Sequence, residues 1–134
     1  MAEKRKLPQA KGPYSLWVKA GGFIYVSGQG PLDTETGQMV LEDIQTQTRI
    51  TLMNIEAILH DAGANLTDVV KTNVYLADIA DFSRMNEVYA GFFGEVKPAR
   101  TTIQAAALPL GISVEIEAVA VDPHSKIQIT RYQG

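Results

Sequence analysis

The segment from Ile112 to Val121 alternates: Ile112, Val114, Ile116, Ala118 and Ala120 fall on one side of an extended chain, and Ser113, Glu115 and Glu117 on the other. A period of two with one apolar face commits this stretch to a strand that rests on a core. Val119 and Val121 share the side of the glutamates, so the second face is mixed rather than wholly polar. A different period rules the middle of the chain. Ile44, Thr48, Leu52, Ile55, Leu59 and Ala62 recur at three- and four-residue steps, which predicts an amphipathic helix from Asp43 to Ala62. Asp43 suits its N-cap and Gly63 the residue just past its end. A second helical pattern carries Phe82, Met85, Tyr89 and Phe92 on one side, with Asp78 or Asp81 as its cap and Gly94 as its stop.

Extended runs flank these helices. Tyr14 to Lys19 and Phe23 to Ser27 surround Ala20-Gly21-Gly22, a hairpin signal. The turn Asp33 to Gly37 precedes a short extended piece at Gln38 to Leu41. Val69 to Leu76 and Thr101 to Ala107 are β-rich, Leu108-Pro109-Leu110-Gly111 turns the chain, and Ile127 to Tyr132 reads as a short edge strand. The order ββ(β)αβαββ specifies an α+β domain spanning 1–134, a mixed sheet with both helices on one face. One helical layer covers one face only. The apolar residues on the other face therefore predict association through it.

Twelve Lys and Arg against fifteen Asp and Glu leave a net charge of −3, which offers nucleic acid no bulk attraction. The absence of cysteine removes disulfides, thiol catalysis and cysteine-ligated metals. His60 and His124 stand far apart with no partner at metal-ligand spacing, so no metal is expected. The charged start Met1 to Lys6 precedes no apolar run of a secretion signal, and no stretch is long enough to span a bilayer; a cytoplasmic location is the expectation.

Chemistry concentrates in two places. In Pro98-Ala99-Arg100-Thr101-Thr102 a proline fixes the entry of Ala99 and Arg100 into a strand. A guanidinium on a stiff element is a receptor for a carboxylate, because its planar fork donates two parallel hydrogen bonds. Surface pairing with Glu95 is the plain alternative. Val114-Glu115-Ile116-Glu117 supplies acids on what is read as a neighbouring strand, either a solvated face or a group that orients water. Gly12-Pro13-Tyr14-Ser15 and Ser27-Gly28-Gln29-Gly30-Pro31 are turns whose glycines allow close backbone approach to a pocket. No Lys-Ser/Thr and no helix follows them, so neither is a phosphate loop. Asn86 and Tyr89 suit packing or capping as well as a site, and no histidine lies near Ser15 or Ser27 to make a triad.

Those residues together carry a resemblance. The pieces Gly12-Pro13-Tyr14-Ser15, Ser27-Gly28-Gln29, Gln47 to Asn54, Val69-Val70-Lys71-Thr72, Asn86-Glu87-Val88-Tyr89, Pro98-Ala99-Arg100-Thr101, Leu108-Pro109 and Val114-Glu115-Ile116-Glu117-Ala118 stand in one order across most of the chain. In that order the chain resembles the YjgF/Rid family of reactive-intermediate deaminases, the endoribonuclease L-PSP superfamily. The resemblance implies a chorismate-mutase-like fold and a homotrimer with sites between subunits. It also implies a cofactor-free hydrolase of the 2-iminobutanoate/2-iminopropanoate deaminase type, which turns 2-imino and 2-enamino acids into 2-keto acids and ammonia. Arg100 then matches the carboxylate-binding arginine and Glu115 the water-associated glutamate. Tyr14, Thr102, Ser27, Gly28 and Asn86 join them as substrate-binding residues. Two departures stand out: Thr102 occupies a position that is often cysteine, and Leu16-Trp17 replace the usual Gln-Ala. The rival readings are a 2-aminomuconate-type deaminase of catabolism, a non-catalytic metabolite-binding or chaperone-like trimer, and a ribonuclease. The acidic balance argues against the last.

Overall fold

Gly21 and Gly22 take φ of 61° and 88°, the left-handed geometry that a two-residue hairpin turn requires. They join strand β1 (Trp17–Ala20) to β2 (Phe23–Gln29) in the register Ala20↔Phe23. Helix α1 (Ile44–Asp61) follows, with Asp43 extended at its N-cap and Gly63 at φ 88° beyond its end. Then come β3 (Val69–Leu76), α2 (Phe82–Phe93), β4 (Ala99–Gln104) and β5 (Val114–Val121). The computed structural model describes residues 5–134; of the charged start, Met1–Lys4 lie outside the described residues.

The strands form one sheet of five in the order β1-β2-β5-β3-β4. It is mixed, because β4 runs parallel to β3 while the other pairings are antiparallel. Both helices lie on one face. Val114, Ile116, Ala118 and Ala120 of β5 are buried there, as their alternation requires, with Ile24, Leu52, Ile55, Ile58, Leu59, Val74, Leu76 and Met85 around them. Each large aliphatic side chain so buried contributes roughly 1.5–3 kcal/mol. The opposite face holds Val18 and Tyr25, about half exposed (50% and 48%), and is uncovered in the single chain.

Three sequence expectations change. The piece at Gln38 to Leu41 contributes a single bridge, Leu32↔Met39, and not a strand. β4 begins two residues before Thr101 and ends at Gln104, so Arg100 lies within it. Ile127 to Tyr132 forms no strand. The tail sets Ile127 over Gly22, and Arg131 donates to the carbonyls of Thr67 (3.0 Å) and Val69 (3.1 Å). There it meets β3, which already pairs with β4 and β5 and has no free edge to offer.

Candidate active site

Arg100 lies on the helix side of the edge strand β4. Its register partner on β3 is Thr72, whose hydroxyl bonds Tyr89 Oη of α2 at 2.7 Å. That bond sets the tyrosine ring, and the guanidinium stacks over it at 4.7 Å and over Phe82 at 5.5 Å. Burial raises the Tyr89 hydroxyl above its usual pKa, so the ring bedding the cation stays neutral. The surface alternative for Arg100 is not formed: among the described residues the ion pairs are Lys19–Asp122 and Arg84–Asp81. Thr102, two residues along the same face, and Asn86, one turn of α2 from Phe82 and from Tyr89, each bury a side-chain oxygen that has no partner. A half-buried cation on an aromatic bed, with unpartnered polar atoms on its flanking residues, is suited to capturing an anion.

Glu115 lies on the other side of the sheet, where it lines a cleft of about 310 Å³ with Tyr14, Gly28, Lys11, Met39, Leu110 and Ile112. Gly28 is there for a steric reason. A Cβ at that position would stand 2.8 Å from Glu115 Oε2, so only glycine leaves the carboxylate its place. The β2–β5 ladder slips between Val26 and Gln29, a bulge opposite the glutamates that turns Gly28 toward them. Ser27 donates to Ser15 O at 2.6 Å and its N–H to Leu16 O at 3.0 Å, which ties down the segment that carries Tyr14. The Tyr14 hydroxyl accepts from the Lys11 N–H at 3.2 Å.

The two acids of β5 have separate fates. Glu117 accepts hydrogen bonds from Tyr75 Oη and from Asn73 Nδ2 (3.2 Å), and the first of these bonds, with burial behind it, raises the Tyr75 hydroxyl's pKa. Glu115 accepts none among the described residues. Desolvation first, and the neighbouring Glu117 charge second, hold its carboxyl above the usual glutamate range. An acid with a raised pKa and free lone pairs in a cleft is equipped for proton transfer.

One expectation about these residues fails within a chain. The strand of Glu115 is not the neighbour of the strand of Arg100, because β3 lies between them. Arg100 pairs in register with Thr72 and Glu117 with Asn73, the next residue, so the arginine and the glutamates leave opposite faces of the sheet. Tyr14, Gly28 and Glu115 come together in one half; Arg100, Thr102 and Asn86 come together in another. The departures Leu16 and Trp17 pack against the core, Trp17 donating its indole N–H to Asp61 at 3.0 Å, and neither lines the cleft. Sequence reasoning missed the apolar wall of Met39, Leu110 and Ile112, for which no local pattern exists. It also missed Phe82 as a bed for Arg100, although its place with Tyr89 on one face of α2 was a usable signal.

Known proteins resemble this chain over most of its length in sequence and in fold. The pattern of the family described as Endoribonuclease L-PSP matches residues 4–122. A RutC family protein of Pyrococcus abyssi is 52% identical over 115 residues, covering 86% of this chain and 91% of that protein. A human protein named 2-iminobutanoate/2-iminopropanoate deaminase is 47% identical over 116 residues, 87% of this chain and 85% of its own. Among solved structures, RidA from an Antarctic Psychrobacter superposes with a TM-score of 0.83 at 45% identity, covering 87% of this chain and 94% of that one. E. coli TdcF, solved with bound serine, gives 0.81 at 41% identity, over 86% of this chain and 92% of that one. An α+β chain with this mixed sheet, these ordered motifs and these relatives belongs to the Endoribonuclease L-PSP family, also called YjgF/RutC/Rid.

Proposed function

We propose that this protein hydrolyses 2-imino and 2-enamino acids to 2-keto acids and ammonia, at sites that two copies of the chain assemble within a homotrimer. The observation that carries the reading is the division of the site. One chain exposes an unpaired guanidinium on one side of its sheet and an unbonded, desolvated carboxylate on the other. Each is half of an acid–base site for an anionic substrate. The strand bearing Arg100 is at the sheet edge and the face bearing Glu115 is uncovered, so a heterologous, ring-closing contact joins unlike halves. The human relative's name and the serine bound to TdcF support the same substrate class, a small α-nitrogen carboxylate.

In the mechanism Arg100 grips the substrate carboxylate with two parallel hydrogen bonds, and Thr102 and Asn86 hold the adjoining polar atoms. That places the C2 imine carbon beside a water at Glu115 of the partner subunit. Water oxygen bonds to C2 while the C=N π pair moves to nitrogen. The carboxylate takes a water proton and passes it to that nitrogen, giving a neutral carbinolamine. In its collapse the hydroxyl gives its proton to the carboxylate as the C=O bond forms and the C–N bond breaks. The carboxyl hands that proton to the departing nitrogen, so that ammonia and the 2-keto acid remain. An imine is already electrophilic, so positioning and proton transfer supply the acceleration. The chemistry calls for no cofactor. Lys11 on the cleft rim is the one observation that favours a larger dicarboxylate of the aminomuconate kind, and assaying both substrates separates the two readings. Glu115 in the cleft disfavours a phosphate backbone and hence the ribonuclease reading.

Subunit mixing tests the proposal. Arg100→Ala and Glu115→Gln homotrimers are each expected to be inactive on iminopropanoate. Randomly mixed trimers of the two variants regain activity, because about one site in four then draws both intact residues from different chains. No recovery, with mixing verified by mass spectrometry, would refute the shared site.

A further inference from the structure

We propose that two buried amides of α1, Gln47 and Asn54, are positioning residues that set the two walls of the Glu115 cleft and thereby place its carboxylate. The kinetic consequence rests on the deaminase reading; the structural one does not.

The cleft has two walls, Gly28 to Leu32 after the β2 bulge and Pro109 to Ser113 before β5. The sheet reaches each wall at one end: Gln29 pairs with Ile116, and Ser113 O accepts the Ala77 N–H at 3.0 Å. The first follows the register slip between Val26 and Gln29, and the second contains Leu110 and Gly111 at φ 58° and 73°. Their backbone groups are held from behind by the helix. Gln47, 2% exposed, accepts the Ser113 N–H at 2.8 Å and donates to Glu42 O at 2.7 Å and Ser113 Oγ at 3.3 Å. Ser113 is two residues before Glu115, just ahead of β5. Asn54, fully buried at 0%, donates to Gly30 O at 3.2 Å and Leu32 O at 3.0 Å, while its Oδ1 accepts Arg5 Nε at 2.9 Å. The amides are seven residues apart on α1, so they share one stripe of that helix.

The walls also touch each other. A Cβ on Gly30 would lie 3.0 Å from Ile112 Cδ1, and one on Gly28 would lie 2.8 Å from Glu115 Oε2. A slip of either wall therefore changes the gap in which the carboxylate sits. Buried amides are costly when half satisfied, so a helix that spends two on these loops makes their position definite. The charged and titratable groups facing Glu115 are Glu117 on its own strand, Tyr75 in register on β3, and Lys11 and Tyr14 from the N-terminal segment. Substituting Gln47 alters none of them, so a changed Glu115 titration reports geometry.

The test uses Gln47→Met, of similar volume with no hydrogen bonds, and Gln47→Glu, which keeps the acceptor for Ser113 N–H. A roughly ten- to hundredfold fall in kcat is expected for Gln47→Met with KM held within about twofold, since Arg100 is untouched. Gln47→Glu lies between it and the parent. The Glu115 carboxyl titration, followed by carbon-13 NMR, moves in Gln47→Met in the same preparation. A folded variant with parental kcat, KM and Glu115 titration, whatever its melting temperature, overturns the proposal. Asn54→Leu, uncharged and of similar volume, loses the donations to Gly30 and Leu32 and reads the same outcomes should Gln47→Met fail to fold. The NMR titration decides the matter even if the parent proves not to hydrolyse imines, which separates this proposal from the functional reading it extends.

Discussion

The two faces of the sheet are built on different rules from the same strands. On the helix face of β5, Val114, Ile116, Ala118 and Ala120 disappear into a core in which any aliphatic group of similar volume would serve. On the other face the residues between them form particular partnerships: Glu117 with Tyr75 and Asn73, Glu115 with the bare backbone of Gly28. The first face completes itself within one chain, and the second does not. Arg100 is the exception that joins them. It is a cation on the helix face, at the rim where α2 ends its cover, bedded on Tyr89 and Phe82 and lacking an anion among the described residues. Packing made the fold here and left Arg100 and Glu115 without an ion-pair partner among the described residues.

Breaking the rim should have the largest effect. Arg100→Ala is expected to abolish imine hydrolysis above background. Arg100→Lys, which keeps charge but loses the fork, should weaken pyruvate binding by calorimetry. Removing one side of a buried charge pair costs about 2–5 kcal/mol, at least about thirtyfold in affinity. Equal affinities in parent and both variants would locate the carboxylate elsewhere.

Adjacent residues of β5 sharpen the contrast between faces. Ile116→Ala should cost about 2–5 kcal/mol in denaturant unfolding through the cavity it leaves, without touching the cleft directly. Glu115→Gln should leave stability at neutral pH equal or higher, yet lower kcat by about a hundredfold or more. The sign follows from the raised carboxyl. The folded state holds that proton more tightly than the unfolded one, so the contribution of Glu115 to stability is full below the ordinary glutamate range. It is lost as pH rises from there through the raised folded value. The acid limb of kcat, carried by the ionised form, should fall in that same window above the ordinary value. Both pH dependences should vanish in Glu115→Gln, and an unchanged acid limb would exclude Glu115 as its source.

The smallest effect is the most local. Gly28→Ala forces the flexible end of Glu115 aside rather than the backbone, so melting temperature should hardly change while kcat falls several-fold. A parental rate would mean the carboxylate has room to work from another position.

Much of this molecule is legible in its residues because it is local. The period of two in β5 assigned its buried face residue by residue, and the three-and-four spacing bounded α1 to within a residue of its observed ends. Glycine turns and the rigid entry at Pro98 are likewise consequences of neighbouring dihedral angles. The Rid motifs, being short runs of sequence, carried the family and its candidate residues in the same way. What they could not carry was where strands lie relative to one another. Whether β5 or β3 sits beside β4 depends on which edges remain free after the crossover through α2, a long-range choice with no local signature. That choice sent Arg100 and Glu115 to opposite faces. It also decided that the tail from Ile127 would meet strands already paired, and that Gln47 and Asn54, two of the polar residues buried along α1, would reach the walls of the cleft. Composition and period determined the elements and their inner faces, because those follow from steric rules and burial along a few residues of chain. Only the tertiary structure decided the site, because distances between charges are set by packing among residues far apart in sequence.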